Sequence, residues 1–338
     1  MKSNVTMKDI ANKIGVSSVT ISKALNDKEG VSEELKEKIK QLADEMGYRY
    51  NSMARSMKEG KTYNIGIVIP ERFSGGISQS FYFEAYQYLS AKLEAHGYYG
   101  IMNVLTGVDE EALNLPRVYK EGKVDGFIFL GQINQNYLNR VKSINIPMVF
   151  LDFYDEHDDI DAIITDNFYG AYDLTNHLIH NGHSEIGFVG NLYSTSSIQD
   201  RFLGYYKSLL EHNIELDQAI LINDRDSKGI LMPLTLPKRL PTAFVCNCDQ
   251  VANSLVKTLQ EQGYSVPQDC SVVGFDNDIY ATITDPQLTT VAIDIENMVN
   301  HAVRLMIKKV NGQNKVIGRT LVKGKIVKRD SVKNLQKL

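Results

Sequence analysis

Short apolar runs alternate with helical patterns from Tyr63 onward, and this alternation constrains the fold more than any other feature. The apolar runs are residues 65–69, 101–105, 127–130, 149–151, 186–189, 219–222, 243–246 and 272–275. The helical patterns are residues 83–95, 171–180, 201–211, 250–262 and 295–310. Strands that alternate with helices form parallel sheets whose faces those helices cover. About 270 residues of this pattern predict an α/β core of two doubly wound parallel-sheet subdomains, with a ligand crevice at the carboxyl ends of the strands.

The first 47 residues have a different pattern and predict three short helices. Thr6 and Asp9 form a capping box before the first helix, and Gly15 ends it. Two short helices that are joined by a glycine turn are typical of a helix-turn-helix unit. Short polar side chains and one cation on the second helix suit contacts with base edges or phosphates. A three-helix domain with a purely structural role would have the same pattern, so the pattern alone leaves both interpretations open.

Charge is divided unequally between these two regions. Residues 1–62 contain 12 Lys and Arg against 9 Asp and Glu, whereas the remaining residues contain 25 against 32. A basic head on an acidic body is typical of a protein whose head meets a polyanion. An excess of three charges also arises by chance, so the charge alone does not decide for DNA.

Composition excludes several classes of protein. No apolar stretch approaches the roughly 18 residues of a membrane helix, and the polar N-terminus lacks the apolar core of a secretion signal. Three cysteines (Cys246, Cys248 and Cys270) are too few for a disulfide framework and suit a reducing compartment. The sequence therefore predicts a soluble cytoplasmic protein with no membrane partner.

Three clusters invite a metal interpretation, and each has a plainer explanation. The acidic run 155–161 lacks the central glycine of a calcium loop and suits a solvated loop. Cys246 and Cys248 lack the second pair of a zinc site, and the histidines between residues 177 and 183 lie near a predicted helix end. No dinucleotide fingerprint or nucleophile elbow is present. We expect no metal, no other cofactor and no enzymatic activity.

Eight segments of the chain form an ordered series of motifs. In the head they are VTMKDIANKIGVSSVTISKALN, VSEELKEKIKQLADEMGY and NSMARSMKEGKT. In the body they are TDNFYGAYDLTNHLIHNGHSEIGFVG, DRFLGYYKSL, PTAFVCNCDQVANSL, VPQDCSVVGFDND and DPQLTTV. Each segment alone is unspecific, but in this order and spacing they resemble the LacI/GalR family of ligand-responsive transcriptional repressors over almost the whole chain.

The resemblance implies how the chain is organised. The implied parts are a helix-turn-helix headpiece (1–50), a hinge helix and linker (51–62), a core N-subdomain (63–163 plus 294–322), a core C-subdomain (164–293 plus 323–331) and a tail (332–338). The core would resemble periplasmic sugar-binding proteins, in which two subdomains clamp a small ligand. The functional unit would be a homodimer on a pseudo-palindromic operator, because one head supplies few contacts.

The resemblance also assigns contacts with operator DNA. The positions that read bases correspond to Ser18, Val19 and Lys23. The positions that typically contact phosphates, and so fix register without reading sequence, correspond to Thr6, Ser17, Thr20, Ser22 and Asn26. Lys23 departs from the arginine that is common at its position, so a bidentate contact with guanine would become a single-point contact.

In the hinge, Met57 matches the leucine that the family inserts between base pairs in the minor groove. Ala54 lies one helical turn before it. An unbranched methionine can wedge into a base step and kink it, although a spare apolar residue in a linker is the alternative. The family's usual proline before Asn51 is Tyr50 here, so the entry to the hinge is less constrained.

In the core, the resemblance implies an effector site between the subdomains. Arg201 and Asp276 match the arginine and aspartate that bind sugar hydroxyls. The other matched positions are Phe81, Tyr82, Asp152, Asn247 and Asp249. Carboxylates and amides accept hydrogen bonds from hydroxyls, and aromatic faces cover the apolar surface of a sugar. Local structure is the alternative for each of these residues; Asp249, for example, would also cap a helix, and Asp152 would also fit a turn at the end of a strand.

Two classes of function fit these observations. The first is a DNA-binding repressor of carbohydrate-utilisation genes that a sugar or sugar-derived effector releases from its operator. The second is a cytoplasmic carbohydrate-binding or carbohydrate-processing protein with the same core. A regulator that depends on a corepressor, either a ligand or a phosphorylated protein, is a further variant. The helix-turn-helix head and the lack of a secretion signal favour the repressor.

Overall fold

The computed structural model describes residues 5–49, 56, 59–74, 80–156, 159–226 and 229–337. The chain divides into two compact units, Met1–Thr62 and Tyr63–Leu338, which we call the head and the core. The predicted minor-groove residues of the hinge, Ala54 and Met57, lie outside the described residues. Among the described residues, no helix is long and apolar enough to cross a bilayer.

The head contains three helices, α1 (Met7–Ile14), α2 (Ser18–Leu25) and α3 (Glu33–Glu45). The predicted capping box is confirmed, because the Thr6 N–H donates to Asp9 Oδ2 at 2.8 Å and the Asp9 N–H donates to Thr6 Oγ1 at 3.3 Å. Gly15 adopts φ +77°, the left-handed conformation that ends a helix at little cost when the residue is glycine.

A small apolar core holds the three helices of the head together. Its buried members are Ile10, Ala11, Ile21, Ala24, Ile39 and Ala43. The small side chains of Ala11 and Ala24 allow α1 and α2 to pack closely, and the buried Ile39 packs α3 against them. The opposite face of α2 is exposed to solvent, and its Val19 is 66% exposed.

The first lobe of the core is built on a six-stranded parallel sheet. Its strands are β1 (Asn64–Pro70), β2 (Tyr99–Leu105), β3 (Gly126–Leu130), β4 (Met148–Leu151), β5 (Asp161–Thr165) and β11 (Arg319–Val322), in the order β11-β5-β4-β3-β1-β2. Its helices are α4 (Ser80–Ala95), α5 (Gly107–Glu111), α6 (Arg117–Lys120), α7 (Gln135–Lys142) and α12 (Ile295–Val310). In register, Ile67 of β1 faces Met102 on one side and Ile128 on the other. Buried side chains of α4 and α12 cover one face of the sheet, and those of α7 cover the other.

The second lobe is built on a four-stranded parallel sheet and a short antiparallel pair. The sheet strands are β6 (Ile186–Val189), β7 (Leu221–Ile222), β8 (Ala243–Cys246) and β9 (Ser271–Val273), in the order β7-β6-β8-β9. The pair consists of β10 (Thr290–Ala292) and β12 (Lys325–Val327). The helices are α8 (Asn167–His180), α9 (Ser196–Glu211), α10 (Asp249–Glu261) and α11 (Ile279–Ile283).

The chain passes between the lobes three times, from β5 to α8, from β10 to α12 and from β11 to β12. Each lobe is therefore assembled from separate stretches of sequence. The predicted fold class, a small helical domain followed by two parallel-sheet subdomains, is confirmed.

Some boundaries differ from the expectation because caps, and not apolar periodicity, begin the helices. Helix α9 begins at Ser196 instead of residue 201, since the Thr195 side chain accepts a hydrogen bond from the Ile198 N–H. The prediction of a strand over residues 219–222 is wrong in its first half, because residues 219 and 220 belong to a 3₁₀ turn. Only Leu221 and Ile222 join the sheet. Apolar side chains bury equally well in either conformation, so the pattern did not distinguish them.

Helices α8 and α9 cross at Gly204, and this contact generates a prediction. A Cβ at Gly204 would overlap the Phe168 backbone oxygen and lie 3.0 Å from the Tyr172 nitrogen. Because backbone atoms cannot move aside as a side chain does, we expect Gly204→Ala to lower the free energy of unfolding by about 1–3 kcal/mol or more. Urea denaturation measures the loss. Gly107→Ala is the matched control, since a Cβ there meets nothing within 4 Å, and equal losses in both variants would contradict the packing argument.

Candidate effector cleft and DNA-binding surface

A cavity of about 140 Å³ lies between the two lobes of the core. Its walls follow the carboxyl ends of strands in both sheets, which is where parallel α/β folds bind ligands. The lining residues are Arg72, Phe73, Phe81, Tyr82, Asp152, Thr195, Ser197, Ile198, Arg201, Arg225, Gly229, Leu231, Asn247, Cys248, Gln250, Asp276, Asp278 and Ile293. The structure thus brings six of the seven predicted effector residues to one cavity.

The first lobe contributes an aromatic wall to this cavity. The rings of Phe73 and Tyr82 stack with their centroids 4.8 Å apart, and Phe81 meets Tyr82 edge-on at 5.0 Å. The Tyr82 hydroxyl donates a hydrogen bond to Asp152 Oδ2 at 3.0 Å. This bond fixes the Asp152 carboxyl beside an apolar ring face.

The second lobe contributes the buried guanidinium of Arg201. Its Nε donates to Asn167 Oδ1 at 2.8 Å, and one terminal nitrogen donates to the Asn247 carbonyl. The other terminal nitrogen lies 3.3 Å from Asp276 Oδ1, and the group lies 3.8 Å from the Phe275 ring centroid. Arg201 therefore lines the cavity and, by its contacts, joins α9 to α8 and to the loops after β8 and β9.

Two further arginines line the cavity, and sequence reasoning missed both. Arg225 makes bonds of 2.8 and 2.6 Å with the buried Asp224. Arg72 lies 2.6 Å from the buried Glu110 and also donates to the Gln132 carbonyl. Each of these two arginines pairs with an acid in its own lobe, so its charge is already balanced within that lobe. The position of Arg72 just after β1 could have indicated a cavity residue, because ligands bind at the carboxyl ends of parallel strands.

Asp249 is the predicted effector residue that the structure does not bring to the cavity. Its side chain is fully buried, and its Oδ2 accepts a hydrogen bond from the Asp278 N–H at 3.1 Å. It fits beneath the wall because Gly274 has no Cβ to overlap it. Burial raises the pKa of this carboxyl well above its usual range. Through this bond Asp249 supports the loop that carries Asp276 and Asp278. The alternative prediction, that Asp249 is the N-cap of the helix, is wrong, because the N-cap of α10 is Cys248.

Burial also dominates the electrostatics of the cavity carboxyls. It raises the pKa of Asp152 to about 6 and that of Asp276 to about 7, and the Arg201 charge opposes both shifts. The two residues have left-handed backbone conformations, with φ of 68° and 108°. Strain of this kind is concentrated at binding sites, where the surrounding structure enforces it.

In the head, the exposed face of α2 holds the predicted base-reading residues. Ser18, Val19 and Lys23 are exposed, whereas Ile21 on the opposite face is fully buried. At 3.6 residues per turn, these positions fall within an arc of roughly 140°.

The predicted phosphate-contacting residues lie near the ends of α1 and α2. Ser17 Oγ lies 2.9 Å from Thr20 Oγ1 and accepts from the Thr20 N–H at 3.1 Å. Asn26 Nδ2 donates to the Ser22 carbonyl at 2.7 Å. Thr6 caps α1 and is exposed. These local bonds hold the polar groups in place before any DNA is present.

The acidic run 155–161 is paired with lysines in the described part of the chain. Lys142 contacts Asp155 and lies 3.0 Å from Asp159. The buried Asp161 lies 2.7 Å from Lys309 and accepts bonds from the N–H groups of Ile317 and Gly318 at 2.6 and 3.0 Å. His157 and Asp158 lie outside the described residues. The solvated loop that we expected over this run is therefore wrong at both of its ends, because Asp155 and Asp161 are buried and paired with Lys142 and Lys309.

Comparison with known proteins follows the same division of the chain. Residues 6–51 match the model of the lacI family of bacterial regulatory proteins, and residues 175–332 match the periplasmic binding protein-like domain. The HTH-type transcriptional regulator RegA of Clostridium saccharobutylicum is 33% identical over 314 residues, which cover 90% of this chain and 92% of that protein.

Two solved structures support the fold. A lac repressor dimer bound to operator and the anti-inducer ONPF has a TM-score of 0.77 at 24% identity, covering 98% of this chain and all of that one. A LacI family transcriptional regulator from Enterococcus faecium, with bound ribose, has a TM-score of 0.67 at 24% identity, covering 80% of this chain and 99% of that one.

The helix-turn-helix head and the two-lobed core define a DNA-binding transcriptional regulator. The chain belongs to the lacI family of bacterial regulatory proteins.

The raised pKa of Asp152 predicts a pH-dependent effect of its substitution. The folded-state pKa of about 6 exceeds that of an unfolded aspartate, near 3.9. The stability that this carboxyl contributes is therefore full below about pH 4 and is lost as the pH rises through about 6. Asp152→Asn keeps an acceptor for Tyr82 and tolerates a positive φ. Relative to the parent chain, we expect the variant to gain about 1–2 kcal/mol between pH 4.5 and 7.5.

Urea titrations of both chains at four pH values measure this difference. Asp330→Asn, at an exposed position outside the cavity, is the control. A difference that does not change with pH would show that Asp152 is not held in a protonation-sensitive environment.

Proposed function

We propose that this chain is a homodimeric repressor that binds a pseudo-palindromic operator and is released when a small sugar occupies the cleft. The observation that carries the proposal is a single cavity whose polar wall is divided between two lobes, with Tyr82 and Asp152 on one side and Arg201 and Asp276 on the other. It acts in the cytoplasm, where its DNA is, and the bound sugar leaves chemically unchanged.

The chemistry of the wall supports a sugar as the effector. The carboxylates of Asp152, Asp276 and Asp278 accept hydrogen bonds from hydroxyl groups, and the stacked rings of Phe73 and Tyr82 cover C–H surface. A volume of about 140 Å³ is roughly ten times what one water needs, so the space suits a small molecule. The similar Enterococcus faecium regulator was solved with bound ribose.

Coupling between cleft and operator requires that the ligand prefer one arrangement of the lobes. A sugar that contacts both lobes favours the closed arrangement. We infer that closure moves the points at which the paired chains leave the core near Thr62, so that the hinges no longer fit the operator together. A coupling of about 1–3 kcal/mol is the usual scale for such a switch.

The test begins with selection of an operator from random DNA by the full-length chain. Fluorescence anisotropy then measures operator affinity with and without ribose, glucose, cellobiose and their phosphates. We expect a palindromic motif, and a rise in the operator dissociation constant of at least fivefold with one of the sugars. Tighter binding with a sugar would establish corepression instead of induction, and failure to select any motif would refute sequence-specific binding.

Substitutions on α2 should separate base reading from phosphate contact. Ser18→Gln with Val19→Ala should change the selected motif, because base-edge contacts carry about 1–3 kcal/mol per base pair of discrimination. Thr20→Ala should weaken binding to all sequences alike, since a phosphate contact carries no sequence information. Sequencing of the selected pools measures both. Recovery of the parent motif by the Ser18/Val19 variant would remove these residues from the recognition surface.

Asp276→Asn should weaken the effector response and spare operator binding. At about pH 8.5, where a carboxyl with a pKa of about 7 is ionised, the amide lacks the charge that accepts sugar hydroxyls, and hydrogen bonds to charged groups contribute about 1.5–3 kcal/mol. We expect the sugar concentration for half-release to rise at least tenfold, with unchanged operator affinity in its absence. Arg201→Ala is a less direct probe, because Arg201 also ties Asn167 to the Asn247 carbonyl. An Asp276→Asn chain with the parent's sugar response would remove Asp276 from the effector site.

A further inference from the structure

Helix α9 belongs to the second lobe, but its first turn is held by the first lobe outside the cavity. Gln132, which follows β3 of the first lobe, accepts hydrogen bonds through Oε1 from the Ser196 hydroxyl at 3.0 Å and from the Ser196 N–H at 3.4 Å. The N–H groups in the first turn of a helix have no partner within the helix. One such group of α9 is therefore satisfied across the boundary between the lobes.

A second contact crosses the boundary one turn later. The Tyr154 hydroxyl, just after β4 of the first lobe, lies 3.1 and 3.3 Å from the two carboxylate oxygens of Asp200 in α9. The Arg319 guanidinium of β11 lies 4.8 Å from the centroid of the Tyr154 ring. Two elements of the first lobe therefore hold Tyr154 toward the second lobe.

These contacts are arranged around the residue that faces the effector. Ser196 and Asp200 are four residues apart in α9, so they lie on one face of the helix. Arg201 is the next residue, and its guanidinium enters the cavity wall. The helix that carries Arg201 is thus attached to the first lobe at two points, and both contacts form without a ligand.

We propose that Gln132, Ser196, Tyr154 and Asp200 form an interlobe latch that sets the balance between the open and closed cleft before any effector binds. They are positioning residues, since they act by placing α9 and its Arg201 against the first lobe. The latch itself is a property of the core, whereas its effect on DNA rests on the proposed function.

The chemistry of the latch suits this role. Burial, together with the neighbouring Asp200 carboxylate, raises the pKa of Tyr154 to about 12, so the hydroxyl is a donor at neutral pH. A partly buried hydrogen bond to a carboxylate is worth more than a neutral one. Its loss should shift the open-to-closed ratio of the empty cleft about fivefold to tenfold toward open. If closure releases the operator, the same loss should tighten operator binding without effector.

Pulsed electron paramagnetic resonance on the full-length chain, without DNA or sugar, tests the latch directly. Spin labels at Lys120→Cys in the first lobe and Lys257→Cys in the second, both exposed positions, report the distance between the lobes. Each labelled chain is mixed with excess unlabelled chain, so that a dimer carries at most one labelled copy. The chain without the two introduced cysteines is the labelling blank, because Cys248 lies in the cavity wall.

Four variants and a control distinguish the effect of the hydrogen bond from general damage to the fold. Tyr154→Phe and Asp200→Ala should each move population to the longer distance, and the double variant should move it no further than either one. Asp200→Asn should open the lobes less than Asp200→Ala, since its amide oxygen still accepts from Tyr154 but without the charge that strengthens the bond. Tyr193→Phe, at a 93% exposed tyrosine of the second lobe, is the matched control.

An unchanged distance distribution in Tyr154→Phe would overturn the latch, as would an Asp200→Asn chain that opens like Asp200→Ala. Operator affinity of the same chains is measured on the selected operator. If Tyr154→Phe opens the lobes and operator affinity does not change, the latch stands and the proposed coupling of closure to DNA release is wrong.

Discussion

The buried guanidinium of Arg201 is the interaction on which the second lobe and the cleft jointly depend. It ties the start of α8 to the backbone after β8, and it lies between the Phe275 ring and the Asp276 carboxylate. A buried charge is stable only when its partners are in place. Folding of this lobe therefore completes the polar wall of the cleft at the same time, and the ligand-facing group needs no separate support.

The same rule explains the other charged groups around the cavity. Arg72 pairs with Glu110 and Arg225 with Asp224, each within one lobe. Asp152 instead depends on the Tyr82 hydroxyl and on the more distant Arg201 charge. Groups that are satisfied within a lobe keep their geometry when the lobes move, whereas a group that depends on the opposite lobe changes its environment. The cleft thus combines groups that are satisfied within one lobe with a carboxyl, Asp152, whose electrostatic surroundings include a charge of the other lobe.

Local rules predicted most of the fold but only part of the site. The strand Ile186–Val189 has its predicted bounds because all four of its residues are buried. The helix Ile295–Val310 has its predicted bounds because its apolar period and the Asp294 cap agree. The pairing of Arg72 with Glu110 joins residues 38 positions apart, and no local pattern specifies such a partner. Asp249 shows the same limit, since its place beneath the wall depends on the missing side chain of Gly274 in another strand's loop.

The threefold passage of the chain between the lobes also has a consequence for synthesis on the ribosome. In the first lobe, β5 is covered on one edge by β11, which is synthesised more than 150 residues later. The buried Asp161 at the start of β5 is paired with Lys309 and with the N–H groups of Ile317 and Gly318, which are also synthesised late. Until those residues leave the exit tunnel, β5 is an uncovered sheet edge next to an unpaired buried acid. Uncovered edges pair with other chains, so the nascent protein is prone to aggregation until β11 has emerged and paired with β5.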